Sequence, residues 1–312
     1  MLVEDVRRDA ESAWSGTALD RAPLVALLRR DLDANVYLLG VLARGQTQGD
    51  APAPRSAPSV AAGAATPASG APGAAPLTAD GEFRLDGPAG QPTAGVYRSH
   101  AGLVVPFGTE LSGIARAARQ SGAARLVVGR PEAVGAALSG ERPPRLDRQQ
   151  GLYRLTSTPG GARTGSAGGP ESSGLRLARL DEVDEVCAVV AAMQAEELAT
   201  DAARFATDGL RARIGRLILE GRTYIVRERG EITFHASANA QSADGAQLEA
   251  VWTAPERRGK GLATRALTDL SARLLRRLPR VVLGVATVNT PAVRLYERVG
   301  FQSAGPLRLV SY

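Results

Sequence analysis

The run Val251-Trp252-Thr253-Ala254-Pro255-Glu256-Arg257-Arg258-Gly259-Lys260-Gly261-Leu262-Ala263 limits the folds open to this chain more than any other stretch. It begins as a β-branched and aromatic strand, breaks at Pro255, turns through a basic glycine loop and enters an amphipathic helix over 262–277. A strand, a glycine loop and a helix N-terminus in that order form an anion cradle. Backbone N–H groups converge there, the helix dipole favours negative charge, and glycine lets a phosphate approach the main chain. Two common phosphate loops do not fit. A P-loop needs Gly-Lys followed by Ser or Thr, whereas Gly261 is followed by Leu262, and the spacing Gly-x-Gly-x-x-Gly between parallel strands is absent.

The residues around this run predict a compact α/β unit over 174–312. A short strand at 175–180 leads, through the cap Asp181, to a helix at 183–195, and a second helix follows at 208–220. Strands at 223–228 and 231–238 form a hairpin through Arg229-Gly230, and a polar turn at 241–246 feeds the strand 247–253. After the glycine loop and its helix come a strand at 281–287, a helix at 292–298 capped by Thr290 and started by Pro291, and strands at 301–303 and 307–312.

The first half, 1–157, repeats that order from the helix pair onward. Helical patterns fill 20–45, with Asp33 as N-cap of a helix over 34–43 closed by Gly45. Strands at 82–85, 95–99 and 103–106 precede a helix at 110–120, a strand at 125–128, a helix from Pro131 to Leu138 and a strand at 151–156. The equivalent loop, Phe107-Gly108-Thr109-Glu110, carries a negative charge and no Arg-x-x-Gly, so this copy is read as lacking the anion site. Residues 46–79 are Ala, Pro, Gly and Ser with few large apolar side chains, and are expected to be a disordered insertion. Residues 158–173 read as a Gly/Ser/Pro linker between the halves.

Composition narrows the function classes. A hydrophobic fraction of 44% and a charged fraction of 22% suit a globular chain, and no apolar run reaches the roughly 20 residues of a membrane span. The N-terminus lacks a signal-peptide pattern and the single cysteine, Cys187, excludes an internal disulfide, so a cytoplasmic location is expected. Cys187 lies on the apolar face of the first helix of the second half and reads as core. The net charge of +6 is carried by arginines scattered among acids, and aromatics are only 4%, which argues against a nucleic-acid surface.

Two motifs together resemble the GCN5-related N-acetyltransferase (GNAT) superfamily. Arg258-Gly259-Lys260-Gly261-Leu262-Ala263 is similar to the family's acetyl-CoA motif, Gln/Arg-x-x-Gly-x-Gly/Ala. The second motif, an Asn ending a strand, an Ala opening a helix and a Leu-Tyr-Glu-x-x-Gly-Phe run, is matched by Asn289, Ala292 and Leu295-Tyr296-Glu297-Arg298-Val299-Gly300-Phe301. The resemblance covers 174–312. Residues 32–40, Leu-Asp-Ala-Asn-Val-Tyr-Leu-Leu-Gly, make the first half look like the degenerate acetyltransferase-like domain ahead of the catalytic one in some actinobacterial members. It implies an α/β (α+β) fold of two tandem acetyltransferase-like domains, each a mixed, mainly antiparallel sheet flanked by helices.

The resemblance also implies roles. Backbone N–H groups of Arg258, Gly259, Lys260, Gly261, Leu262 and Ala263 would hold the pyrophosphate of acetyl-CoA, with Arg258 and Lys260 adding charge. Val251, Trp252 and Thr253 would splay from the neighbouring strand, present main-chain groups to the pantetheine arm and polarise the thioester carbonyl. Trp252 suits core packing as well as a wall of the acyl pocket. Asn289 would bond a pantetheine amide, and Tyr296 would protonate the departing thiolate. For the general base, Glu249 is the first candidate, since strand alternation would put it on one face with Val251 and Thr253; Glu196, Glu197 and His235 are the others.

The expected reaction is acetyl transfer from acetyl-CoA, without a metal, to a primary amine by direct attack in a ternary complex. The acceptor class, a small molecule or a protein lysine or N-terminus, is expected to be selected by residues 196–211, the 240–246 turn and the first half. The same motifs also suit an acyl-CoA-binding regulatory module without turnover, or a transferase of longer acyl groups.

Overall fold

The computed structural model of the chain describes residues 21–49, 81–88, 90–138, 143–157, 173–198 and 207–312. The N-terminal residues 1–20, most of the expected insertion (50–79), nearly all of the linker and residues 199–206 of the expected acceptor-selecting segment lie outside these. The chain divides into two compact units: Met1–Asp31, Val41–Asp147 and Arg308–Tyr312 form one, and Leu32–Gly40 and Arg148–Leu307 form the other.

Unit 1 holds α1 (Arg21–Leu28), the second half of α2 (Leu32–Gly49), β1 (Gly81–Asp86), β2 (Ala94–Ser99), β3 (Leu103–Gly108), α3 (Leu111–Gln120), β4 (Leu126–Gly129) and α4 (Pro131–Ala137). β1, β2 and β3 pair antiparallel, and β3 then pairs parallel with β4 after the α3 crossover. Val96, Val104, Ile114, Val127 and Val134 form its core between sheet and helices.

Unit 2 repeats that path. It contains β6 (Arg176–Leu177), α5 (Val183–Leu198), α6 (Asp208–Leu219), β7 (Thr223–Glu228), β8 (Glu231–Ser242), β9 (Gly245–Thr253), α7 (Leu262–Leu275), β10 (Val281–Ala286) and α8 (Thr290–Val299). β7, β8 and β9 are antiparallel, and β10 joins β9 in parallel after the α7 crossover. The sheet is covered on both faces. Leu248, Leu267, Leu270 and Leu283 pack under α7 and α8, while Val186, Ile214, Leu217 and Ile225 pack under α5 and α6.

The closing strands follow a different plan from a cut at 157/174. β5 (Leu146–Leu155) pairs antiparallel with β10 of unit 2, and the end of β11 (Gln302–Ser311) pairs antiparallel with β4 of unit 1. Each unit therefore takes its last strand from the other half of the sequence. A strand's residues specify a half-buried pleated surface and not which parallel neighbour they extend, so the exchange leaves no local mark.

Several boundaries also differ from expectation. α2 runs through Gly49, so 46–49 are helical and not part of the insertion; once nucleated, a helix gains one bond for each residue added. Asp33 lies inside α2 and accepts from Arg154 (2.8 Å) and Arg280 (2.7 Å), charge-assisted bonds stronger than a cap. The strand expected at 175–180 is only Arg176–Leu177, because a 3-10 turn over Leu180–Glu182 begins the helix early. There Glu182 accepts from Arg176 on both oxygens and from the Arg179 N–H, which pulls its pKa down to about 2. The 241–246 turn is shorter than expected, since β8 reaches Ser242 and β9 starts at Gly245. Gly305 and Pro306 lie within one strand, β11, and do not separate two. No helix among the described residues is long and apolar enough to cross a membrane.

Candidate active site

β9 and β10 pair only at Ala246–Val281, Gln247–Val282 and Leu248–Leu283. Beyond that point they diverge, and a cleft of about 740 Å³ opens in unit 2, lined by Glu249–Thr253 of β9, Leu283–Ala286 of β10, the glycine loop and the start of α8. The divergence begins where β9 carries a bulge. His235 of β8 is opposite Trp252 and Ser237 is opposite Glu249, so Ala236 faces two residues, Ala250 and Val251. Ala250 has φ 51°, a left-handed conformation that alanine rarely adopts.

This bulge overturns the expectation that Glu249, Val251 and Thr253 share a face. An extra residue reverses the alternation beyond it. Val251 packs on the α7–α8 core with Leu248 and Tyr296, whereas Ala250 packs on the α5–α6 core. Glu249 turns toward α6, where it is ion-paired with Arg213 and accepts from Asn239 Nδ2 at 2.8 Å.

The glycine loop closes one end of the cleft. Pro255–Arg257 make a 3-10 turn, and Gly259 (φ 73°) and Gly261 (φ 75°) are both left-handed, with Gly261 as the N-cap of α7. A Cβ at Gly259 would meet nothing within 4 Å, and one at Gly261 only the Arg265 guanidinium tip at 3.1 Å. The loop thus leaves open space over the first-turn N–H groups of α7, which have no acceptor within their own helix. Those residues fit a phosphate-bearing group such as the pyrophosphate of acetyl-CoA. Lys260 is exposed beside them. Arg258 is directed elsewhere: its Nε donates to Thr253 O (3.0 Å) and its Nη2 to Glu196 (2.7 Å), so its side chain braces the loop.

α8 supplies the other wall. Asn289, not Thr290, is its N-cap: Oδ1 accepts from Ala292 N–H at 3.2 Å, which leaves the amide Nδ2 for other partners. Asn outranks Thr at this position, and Pro291 completes the start of the helix. Tyr296 is 6% exposed and lines the cleft. Burial pushes its phenol well above the ordinary tyrosine range, and the charge of Glu197 adds to the shift. Tyr153 of β5 lies with its ring centroid 6.4 Å from that of Tyr296, and Phe301 at 6.0 Å. Trp252 also lines the cleft; its Nε1–H is buried and has no acceptor among the described residues.

Three carboxylates border the cleft, and each has an arginine partner: Glu249 with Arg213, Glu196 with Arg258 and Glu197 with Arg148. His235 is not among them. It is fully buried, desolvation lowers its pKa to about 4, and its Nδ1 is bonded to Ala250 O at 2.7 Å, so it is neutral and not placed to take a proton from an acceptor. Cys187 is partly buried against the α5–α6 core, as expected. Burial raises the pKa of its thiol. Arg213, Asn239 and Tyr153 were not anticipated. Arg213 and Asn239 carry no spacing that marks them, and Tyr153 lies before the linker, outside the stretch that held the motifs. Among the described residues no group of three or more His, Cys, Asp or Glu is arranged to hold a metal.

Residues 191–301 match the acetyltransferase (GNAT) family. A mycothiol acetyltransferase of Acidothermus cellulolyticus is 51% identical over 53 residues, which is 16% of this chain and 16% of that relative's length. A solved structure of a protein from Drosophila malonogaster superposes with a TM-score of 0.54 at 13% identity, covering 76% of this chain and 80% of that one. A GNAT-family acetyltransferase from Colwellia psychrerythraea gives a TM-score of 0.48 at 12% identity, over 74% and 85% of the two chains. The matched segment takes in the end of α5, then α6, β7–β10, α7 and α8, the elements that build the cleft, and it is this part of the chain that is similar to the GNAT acetyltransferase family.

Proposed function

We propose that the chain is an acetyl-CoA-dependent N-acetyltransferase that moves an acetyl group to a primary amine by direct attack within a ternary complex. The observation that carries this reading is a single cleft that joins an open glycine loop, a divergent pair of parallel strands and the buried phenol of Tyr296. Acetyl-CoA supplies the acetyl group in activated form, as a thioester.

The protein's own groups divide the remaining work. N–H groups over 259–263 bind the pyrophosphate, with Lys260 adding charge. The β9 edge over 251–253, left without a β10 partner, offers main-chain groups that orient the donor and polarise its carbonyl. The Nδ2 of Asn289 holds the pantetheine arm while its Oδ1 fixes the start of α8. Tyr296 keeps its proton at neutral pH, because burial disfavours the phenolate, and passes it to the sulfur as the thiol leaves. Glu249, held in place by Arg213 and Asn239, takes the proton from the acceptor ammonium.

The test is release of free thiol from acetyl-CoA in the presence of spermidine, glucosamine, a lysine-terminated peptide and the unacetylated form of mycothiol. Turnover with at least one amine is expected, and Tyr296→Phe should lower kcat by about 100-fold with little change in KM for acetyl-CoA. Tight binding of CoA with no turnover on any amine would instead make the chain a regulatory module. Faster turnover with longer acyl thioesters would reassign the donor. The relative in Acidothermus cellulolyticus favours the last acceptor of that panel, and we propose cytoplasmic mycothiol acetylation as the reading to test first.

A further inference from the structure

We propose that His235 is a positioning residue of this site: through its bond to the Ala250 carbonyl it clamps the β9 bulge that directs Glu249 and the 251–253 main chain. The inference rests on the acetyl-transfer reading above. It concerns a group that the reaction itself does not consume.

A carbonyl oxygen can only accept, so the 2.7 Å contact puts the proton of His235 on Nδ1. A neutral imidazole then has an acceptor at Nε2, and Ser237 Oγ lies 3.3 Å away to donate to it. Ser237 in turn accepts from Thr223 Oγ1 at 3.5 Å. Thr223, His235 and Ser237 are 0%, 0% and 1% exposed, so water does not compete for these groups and the order Thr223, Ser237, His235, Ala250 has one consistent direction. The relay brackets the bulge, since His235 is opposite Trp252 and Ser237 is opposite Glu249.

Nothing in the sequence makes Ala250 favour a left-handed backbone; the residue is not glycine, asparagine or aspartate. Its φ of 51° needs a partner for the carbonyl that the bulge turns out of the ladder, and His235 is that partner. Without the bulge, the faces of all residues from 251 to 253 would reverse. Val251 would leave the core that holds Tyr296, and Glu249 would no longer stand on the opposite face from it.

The experiment separates the hydrogen bond from the packing. His235→Asn retains a donor at the Nδ1 position, His235→Gln places its amide where Nε2 was, and His235→Phe keeps the ring volume with neither nitrogen. With wild-type protein and its best amine from the panel, His235→Asn should keep kcat within about 3-fold, whereas His235→Gln and His235→Phe should lose roughly 10- to 100-fold. KM for acetyl-CoA should move by no more than about 3-fold. Adding Ala250→Gly to His235→Gln should restore part of the lost kcat, because glycine adopts the bulge without strain. A purely packing role would make Asn no better than Phe and would gain nothing from the glycine; either outcome overturns the proposal. Ser237→Ala, which leaves the imidazole in place, covers failure of the ring variants to fold: kcat should fall about 3- to 10-fold, and an unchanged kcat rejects the relay. Crystal structures of wild type and His235→Gln decide the clamp without any turnover. Ala250 at positive φ in the first and extended in the second supports it; a positive φ in both overturns it, whether or not acetyl transfer is found.

Discussion

The two units reach a helix N-terminus by the same route and do opposite things there. In unit 1, β3 ends at Gly108 (φ 94°), and a Cβ on that glycine would lie 2.4 Å from Thr93 O and 2.7 Å from Ala94 Cα. That glycine serves a close approach of backbone to backbone. In unit 2, Gly259 has nothing within 4 Å, so its left-handed turn opens space in place of closing it. The N-cap residues differ in the same sense: Glu110 at α3 brings a carboxylate, which accepts from Ser112 Oγ at 2.7 Å, while Gly261 at α7 brings no side chain. The gap between the parallel strands differs too. Pro106 fills the space beside Gly129 to within 3.3–3.4 Å of where a Cβ would be, and no residue does so beside Gly284 of β10 at that distance except Gln150 Oε1 at 3.4 Å. Element order alone therefore makes no anion site. Glycines with room around them and the absence of a competing carboxylate open the space that the proposed anion site needs.

The largest expected effect comes from giving unit 2 the charge of unit 1. Gly261→Asp places a carboxylate at the N-cap of α7, where the pyrophosphate is proposed to bind, so affinity for acetyl-CoA measured by calorimetry should fall by roughly 100-fold or more. The fold should survive, because aspartate is a good N-cap and tolerates left-handed backbone better than most residues. The reciprocal change, Glu110→Gly, should not create a second site, since Gly108 stays packed against Thr93 and Ala94 and Pro106 against Gly129. A stoichiometry of two acetyl-CoA per chain in that variant would break the comparison.

These differences were unequally legible in the sequence. Charge and glycine spacing in the sequence distinguish 107–110 from 258–263, and Asn289 and Tyr296 line the same cleft as the glycine loop. The bulge was not legible, because Ala250 lacks the glycine that would mark a positive φ, and uninterrupted alternation then misassigned the face of Glu249. Tyr153 was missed for a different reason. Strand pairing is a long-range choice, and nothing local in a segment such as 146–155 says which strand it will pair with. The partners of Glu249, Arg213 on α6 and Asn239 on β8, depend on that same tertiary placement.

A second contrast predicts a difference in pH response. β2 and β3 pair in unbroken register from Ala94–Gly108 to Arg98–Val104, whereas β8 and β9 shift register on either side of Ser237. The irregular pair depends on a neutral His235, whose pKa is about 4 in the folded chain against an ordinary 6.5. Between those values the unfolded chain binds a proton that the folded chain does not, so this contribution to stability is complete above 6.5 and is lost as pH falls toward 4. The slope should approach about 1.4 kcal/mol per pH unit within that window and disappear in His235→Phe. Hydrogen exchange followed across pH 7 to 5 should show protection falling in β8 and β9 before β2 and β3. Equal loss in both pairs, or a slope retained in His235→Phe, would count against the contrast.

The smallest effect tests whether unit 1 takes part in the chemistry at all. Asp86 accepts from Arg116 Nε (2.8 Å) and Nη2 (2.7 Å), and it also lies against the backbone of α3 at Gly113. Arg116 is half exposed, so water and salt screen the pair, and exposed pairs of this kind contribute about 0.2–1 kcal/mol. Asp86→Asn should therefore cost less than about 1 kcal/mol, and 0.5 M salt should erase most of the difference from wild type. Because this ion pair steadies α3, whose N-terminus is read as having no anion to hold, kcat and KM for acetyl-CoA should stay at wild-type values. A fall in kcat larger than the fall in stability can explain would mean that the α3 end of unit 1 contributes to turnover. The two junctions would then differ in which ligand they hold, and not in whether they hold one.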